Sequence, residues 1–372
     1  MPDCRLVAFY LPQYYPISEN DEWWGRGFTE WTSVAKARPL FPGHYQPHIP
    51  ADLGFYDLRV PETRVAQAEM AREYGIEAFC YYHYWFAGKR LLERPFSEVL
   101  KSGEPDFPFC LCWANQTWTG VWHGCADRVL VEQTYPGPKD DEQHFRTLLD
   151  AFTDPRYMRV EGKPVFLVFC PSRMAEPKRT TDTWRELAEK SGLKGLHLVA
   201  AGGEAISYDL ERLGFDAVTP SGFVLSRALK SEQGLLRDLR VLYRSTLRRP
   251  RRVFSYEKAT AGSVAPEFSG GDVYPCVVPN WDNTPRSGLN GVVLHGSTPG
   301  LFRLHLLAAL NSVAHKPIEH RIVFIKSWNE WAEGNHLEPD LRYGRGYLEA
   351  VHEATRGGAT GRNSDGAVPS LR

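Results

Sequence analysis

Eight short apolar runs, most of them separated by helical stretches, constrain this chain more than any other feature. They are "LVAFYL" (6–11), a run near 77–84, "FPFCLCWA" (107–114), "PVFLVF" (164–169), "LHLVAAG" (196–202), "FDAVTP" (215–220), "VYPCVVPNW" (273–281) and "RIVFIKSW" (321–328). Between them, "VAQAEMAREYG" reads as a helix stopped at Gly75 and "TWRELAEKSG" as one stopped at Gly192. "LLERPFSEVL", a stretch around 140–152 and "GLFRLHLLAALNSVA" are further helical segments. Such alternation predicts a parallel sheet. Eight repeats predict an α/β fold closed into a single (β/α)8 barrel with long βα loops, over about residues 1–355. An open doubly wound sheet is the rival, but no GxGxxG fingerprint follows the first run. The tail from 356 has almost nothing to bury and is expected to be disordered.

Polar and aromatic clusters follow the runs in turn: "PQYY", "YHYWF", "WANQTW", "PSR", "GGE", "PSGF", "NWDNTPR" and "WNEWAE". In a barrel these strand ends converge on one rim, where barrel enzymes keep their active sites. Separate clusters would become one pocket. Candidate contacts from them are Tyr10, Gln13, Tyr82, Tyr84, Trp85, Trp113, Asn115, Gln116, Trp122, Trp281, Asp282, Arg286, Asn329, Trp331 and His336.

The ligand class follows from composition. Aromatic residues make up 13% of the chain, with 11 Trp and 17 Tyr grouped beside the loops. Aromatics with polar handles suit a ligand with flat apolar faces and many hydroxyls, and sugars fit that description. A formal net charge of −1 gives no global pull toward nucleic acid or membrane. A basic stretch at 227–252 reads either as a solvated helix on the barrel or as a lip for an anionic polysaccharide or phosphate-bearing carrier. No run reaches the roughly 18 apolar residues that span a bilayer. The seven cysteines include no CxxC, Cys110 and Cys112 read as a packed pair, and no leader is visible. The default expectation is a reducing cytoplasm. His44 and His48 have metal-like spacing, but Pro47 between them rules out a helix, so no metal or cofactor is expected.

Glycosidic cleavage needs one carboxylic acid and a second carboxylate as base or nucleophile. Glu330 and Glu333 stand three apart in a turn beyond the last run, flanked by Trp328, Asn329, Trp331 and Gly334. Those flanks are poor choices for a solvated helix. Mutual repulsion would raise one pKa and keep that group protonated near neutrality. Glu338, before Pro339, reads as a loop-holding residue.

"SWNEWAEGNHLEPD" followed by "YGRGYLEA" resembles the WbsX-type proteins of bacterial polysaccharide gene clusters. So do "VAFYLPQYYP…WGRGFTEWTSVAKARPLFPGHYQPHIP", "FCYYHYWFAGKRLLERP", "FCLCWANQTWTGVWHG" and "NWDNTPR". That group is related to glycoside hydrolase family 99, endo-acting α-mannosidases and α-mannanases that fold as (β/α)8 barrels. The resemblance implies that Glu330 is a base on a sugar 2-hydroxyl whose oxygen attacks the anomeric carbon, giving a 1,2-anhydro sugar. It implies that Glu333 is the acid and then the base for water. The outcome would be retention on α-linked manno- or rhamno-configured polysaccharide, without a metal. Transfer in O-antigen or capsule assembly, as the WbsX group has often been labelled, is the alternative. Many relatives read W-A-N-E-x-W where this chain has Gln116, whose amide still hydrogen-bonds but cannot carry charge.

Overall fold

The computed structural model describes residues 4–120, 125–202, 207–231, 249–262 and 272–356. Trp122, the segment 232–248 of the basic stretch and the tail 357–372 lie outside the described residues.

All eight runs form strands. They are β1 (Arg5–Tyr10), β2 (Ala78–Phe86), β3 (Phe109–Trp113), β4 (Lys163–Val168), β5 (His197–Ala201), β6 (Ala217–Thr219), a split β7 (Asp272–Val273 and Cys276–Val277) and β8 (Ile322–Ile325). Neighbours in this order pair in parallel, and β1 also pairs with β8. The first piece of β7 pairs with β6 and the second with β8. One segment therefore joins both ends of the sheet, and the barrel closes. Most strand residues are buried, as expected for strands covered on both faces. The chain has the (β/α)8 barrel fold.

The surrounding helices are α1 (Pro61–Glu73), α2 (Arg94–Ser102), α3 (Pro138–Thr153), α4 (Pro177–Lys190), the short α5 (Leu210–Leu213), α6 (Phe223–Ser231), α7 (Pro299–Val313) and α8 (Gly346–Arg356). Proline stands in the first turn of α1, α2, α3, α4 and α7, where its missing N–H costs no hydrogen bond. Gly75 and Gly192 follow α1 and α4 with φ of 87° and 85°, as the stop signals required.

Two expectations need correction. The seventh run does not stay in the barrel to Trp281. Trp281–Asp282 instead pairs with Val292–His295, which also pairs with Arg252–Ser255, in a separate three-stranded sheet. Pro279 and Asn280 interrupt the run and allow the change of sheet. The basic stretch is not one continuous helix, because Arg252 opens a strand.

The rim is built tightly. Gly202, just beyond β5, has φ +102°, and a Cβ there would lie 2.6 Å from the Phe169 carbonyl oxygen. Gly103 has φ +78° with nothing within 4 Å of such an atom. Gly202→Ala is therefore expected to cost about 2 kcal/mol or more in urea unfolding, and Gly103→Ala about 1. Equal losses would show that the close approach at the rim is unimportant.

Candidate active site

Beyond β8 the chain turns at once. The Ser327 hydroxyl accepts the amides of Asn329 and Glu330 at 3.1 and 2.8 Å, a local bond that bends the backbone. Asn329–Glu330 then pairs antiparallel with Asn335–His336 around a 3₁₀ turn, Trp331–Glu333. Gly334 closes it with φ +56°, and a Cβ there would stand 3.0 Å from Asp282 Cβ. This compact hairpin carries Glu330 and Glu333, 6% and 5% exposed.

Both glutamates line one cleft of about 410 Å³ at the C-terminal rim of the barrel. Its wall includes Trp23, Trp24, Tyr82, Tyr84, Trp118, Phe169 and Trp281. Such a cavity, rich in aromatic side chains and with a few convergent charges, has the form of a small-ligand site.

The two carboxylates differ in their surroundings. Arg286 Nη1 donates to Glu333 Oε1 at 2.7 Å. The same guanidinium donates through Nε and Nη2 to Glu30 Oε2 at 3.1 and 2.8 Å. Glu330 Oε2 has no hydrogen-bond partner. Burial, then the Glu333 charge, raise the Glu330 carboxyl to about 8, against smaller lowering by Lys326 and Arg286. Burial also raises Glu30, opposed by Arg286. Lys326 Nζ donates to the Tyr82 hydroxyl at 3.0 Å and lies 5.4 to 5.7 Å from the rings of Phe9, Tyr82 and Phe169.

Gln13, Tyr82, Tyr84, Gln116, Trp281, Arg286, Glu330 and Glu333 are the sequence candidates brought together in this cleft. Gln116 Nε2 lies 3.2 Å from Cys170 Sγ. The remaining described candidates sit behind the cleft. Strand side chains alternate between faces, so Tyr82 and Tyr84 reach the pocket while Trp85 does not. Trp85 stacks on His144 of α3, and Trp113 donates to the Trp85 carbonyl at 3.1 Å. The Tyr10 hydroxyl donates to Gln67 of α1 at 2.6 Å. Asn115 ties its loop to both backbone groups of Cys170, at 2.8 and 2.9 Å. Asn329 grips both backbone groups of Leu11, at 2.8 and 3.0 Å, joining the β8 loop to β1. Trp331 stacks on His336 with ring centroids 3.8 Å apart. Asp282 accepts from His44 at 2.6 Å and from Gln46 at 2.8 Å, facing a separate small cavity.

Glu30, Lys326 and Asn20 line the cleft without having been singled out in the sequence. Lys326 carried a signal: a lone lysine closing the apolar run "IVFI" is costly unless placed for a purpose. Glu30 lies within "GFTEWTSV", one of the segments that carry the family resemblance.

Glu338 has a different task. It is buried outside the cleft and accepts from Tyr56, Gln67, Trp328 and Trp331 at 2.6 to 2.8 Å. Burial raises it to about 7, although all four donors favour its charged form.

The family model described as "Glycosyltransferase WbsX" matches residues 6–351. The chain belongs to the WbsX family. Two curated relatives, both "Uncharacterized protein WxcX" from strains of Xanthomonas campestris pv. campestris, are 41% identical over 361 residues. Those matches cover 94% of this WbsX-family chain and 49% of each relative, so it spans about half of their length. Among solved structures it resembles the GH99 endo-alpha-mannosidase from Bacteroides thetaiotaomicron, with a TM-score of 0.56 and 14 to 16% identity. That likeness covers 95% of this chain and 97% of the other. A "Glycoside hydrolase-like protein" matches with TM-score 0.55 and 14% identity, covering 95% and 94% of the two chains. At such identity these structures establish the shared barrel. Among the described residues no helix is long and apolar enough to cross a membrane.

Removing the Glu338 carboxylate would leave buried indole, phenol and amide donors without an acceptor. Glu338→Ala is therefore expected to lower unfolding free energy by about 3–5 kcal/mol, read from urea denaturation by tryptophan fluorescence. A loss below about 1 kcal/mol would show that this carboxylate does not hold the loop.

Proposed function

We propose that the chain is a retaining glycoside hydrolase acting on α-linked manno- or rhamno-configured polysaccharide. The observation that carries this reading is the pair Glu330 and Glu333, buried together in an aromatic-lined cleft on the barrel rim, with only Glu333 paired to a cation. Trp23, Trp24, Trp118 and Trp281 offer faces for sugar rings, and Arg286 and Gln13 offer donors and acceptors for hydroxyls.

In the reaction, Glu330 removes the proton of the sugar 2-hydroxyl, and that oxygen attacks the anomeric carbon. The bond from this carbon to the leaving oxygen breaks as Glu333 protonates the leaving group. The product of the step is a 1,2-anhydro sugar. Glu333 then takes a proton from water, the water oxygen bonds to the anomeric carbon as that carbon's bond to the 2-oxygen breaks, and Glu330 returns its proton to the 2-oxygen. Configuration is retained after two inversions. Glu30 acts as a positioning residue, because it holds Arg286 from the side opposite Glu333.

The cycle requires one proton shared by the two glutamates. Burial and the Glu333 charge favour that proton on Glu330 in the free protein, so the assigned roles require it to pass to Glu333 when substrate binds. A group with a pKa near 8 is protonated below that pH and loses its proton above it. The pair thus becomes doubly ionised, without an acid, on the alkaline side. The dependence of kcat/KM on pH is expected to fall with an apparent pKa of about 8. A profile that keeps rising through pH 9 would contradict the shared proton.

The family description favours transfer as a second reading, in which a sugar hydroxyl captures the anhydro intermediate in place of water. Incubating the protein and its Glu333→Gln variant with α-mannan and rhamnan oligosaccharides separates the two. Mass spectrometry and NMR are expected to show cleavage with retained configuration, abolished in the variant. Chain extension that depends on an added nucleotide sugar would move the protein to the transferases.

A further inference from the structure

A second cluster of ionisable side chains lies away from the cleft, between the loops that follow β1 and β8. His48, His336 and Asp340 are 3%, 4% and 2% exposed. Each offers a ligand atom, and the three atoms lie within 4.8 Å of one another. All three residues also line a separate cavity of about 60 Å³. We propose that they form a binding site for a borderline divalent transition metal, zinc foremost, distinct from the carbohydrate cleft and independent of the reaction assigned to it.

The ligand orientations support this assignment. His336 Nδ1 donates to the Glu338 carbonyl oxygen at 2.9 Å, which leaves the Nε2 lone pair facing inward. A backbone carbonyl behind a ligating imidazole is the usual means of fixing its tautomer. His48 Nδ1 lies 2.8 Å from His336 Nε2, and Asp340 Oδ2 lies 3.9 Å from the same nitrogen. Ligand atoms around a tetrahedral zinc stand about 3.3 Å apart, between these two values, and the His48 to Asp340 separation, within 4.8 Å, would close toward it on binding. Asp340 Oδ1 accepts the amides of Arg342 and Tyr343 at 2.9 and 2.6 Å, the carboxylate also meets the Tyr45 side chain, and Oδ2 is the oxygen that approaches His336. Two imidazoles and a carboxylate suit zinc better than calcium or magnesium, which prefer oxygen.

The proton balance also closes. Without metal, one proton sits between the two imidazoles on His48 Nδ1, and His48 Nε2 is a buried acceptor with no partner. Metal at Nδ1 moves that proton to Nε2 and makes it a donor, with no net proton release. Asn280 Oδ1, another buried acceptor without a partner, lines the same cavity. A water in that space would join the new donor to Asn280 and complete the coordination sphere. The metal would staple Ile49 and Ala51 more firmly to Pro339 and Leu341, where the loops already share backbone bonds at 2.9 Å.

The sequence concealed this site. His48 stands 288 residues from His336, and the spacing that drew attention, His44 to His48, is not the metal set. His44 is taken by Asp282.

The test uses the full chain, stripped with a chelator and dialysed, then re-exposed to zinc or cobalt(II). Mass spectrometry is expected to find one zinc per chain, and cobalt to give visible bands of a tetrahedral nitrogen and oxygen site. Asp340→Asn keeps the oxygen that caps the turn and removes the ligand. It and His336→Gln are expected to weaken zinc binding at least a hundredfold by calorimetry (about 100-fold or more), whereas His44→Gln should not. Absence of stoichiometric uptake by the folded wild type would overturn the site and leave a plain histidine hydrogen bond. Uptake unchanged in both ligand variants would overturn it equally. If a variant does not fold, the wild-type cobalt spectrum still decides, because a thiolate charge-transfer band would place the metal on cysteine.

Discussion

The site depends on one buried carboxylate that takes no part in its chemistry. Glu338 collects hydrogen bonds from α1 (Gln67), from the loop after β1 (Tyr56) and from both tryptophans of its own loop. Burying a charge is costly unless every lone pair is used, and here four donors converge. Once satisfied, that charge admits few alternative arrangements of the loop. The hairpin carrying Glu330 and Glu333 is held from behind by a residue outside the cleft. Trp331, a candidate sugar contact in the sequence, and its neighbour Trp328 serve instead as two donors of this hub.

In front of the hub the electrostatics are deliberately uneven. Arg286 is clamped between Glu30 and Glu333; burial works against its charge, but those carboxylates outweigh it and hold the guanidinium firmly charged. Glu330 faces the cleft with one oxygen unpartnered and with Lys326, ahead of Arg286, as its compensating charge. Two carboxylates this close repel, so one of them is held protonated. The uneven surroundings favour the proton on Glu330, and the proposed acid–base cycle draws on that asymmetry.

Much of this was legible in the sequence, for reasons that differ between residues. Parallel strands buried on both faces give unbroken apolar runs, so all eight strands were visible. Strand ends in a barrel share a rim, so the pocket followed from topology. Which face each aromatic takes was harder. Tyr82 and Tyr84 point inward, Trp85 outward, and nothing in "YYHYWF" alone sets that phase. The seventh run concealed the exit of Trp281–Asp282 into a second sheet, because Pro279 and Asn280 read as the end of one strand and not as a change of partner. Glu30 and Lys326 were missed because their partners lie more than 240 residues away in the chain.

The claim at the centre of this account is that Glu330 and Glu333 act as one coupled pair. Carbon-13 NMR of protein labelled at the glutamate carboxyl carbons measures it without a substrate. Glu330 is expected to titrate near 8 in the wild type, and markedly lower in Glu333→Gln, where the neighbouring negative charge is gone. A Glu330 signal that titrates in the ordinary carboxylate range, and does not move in the variant, would contradict the coupling.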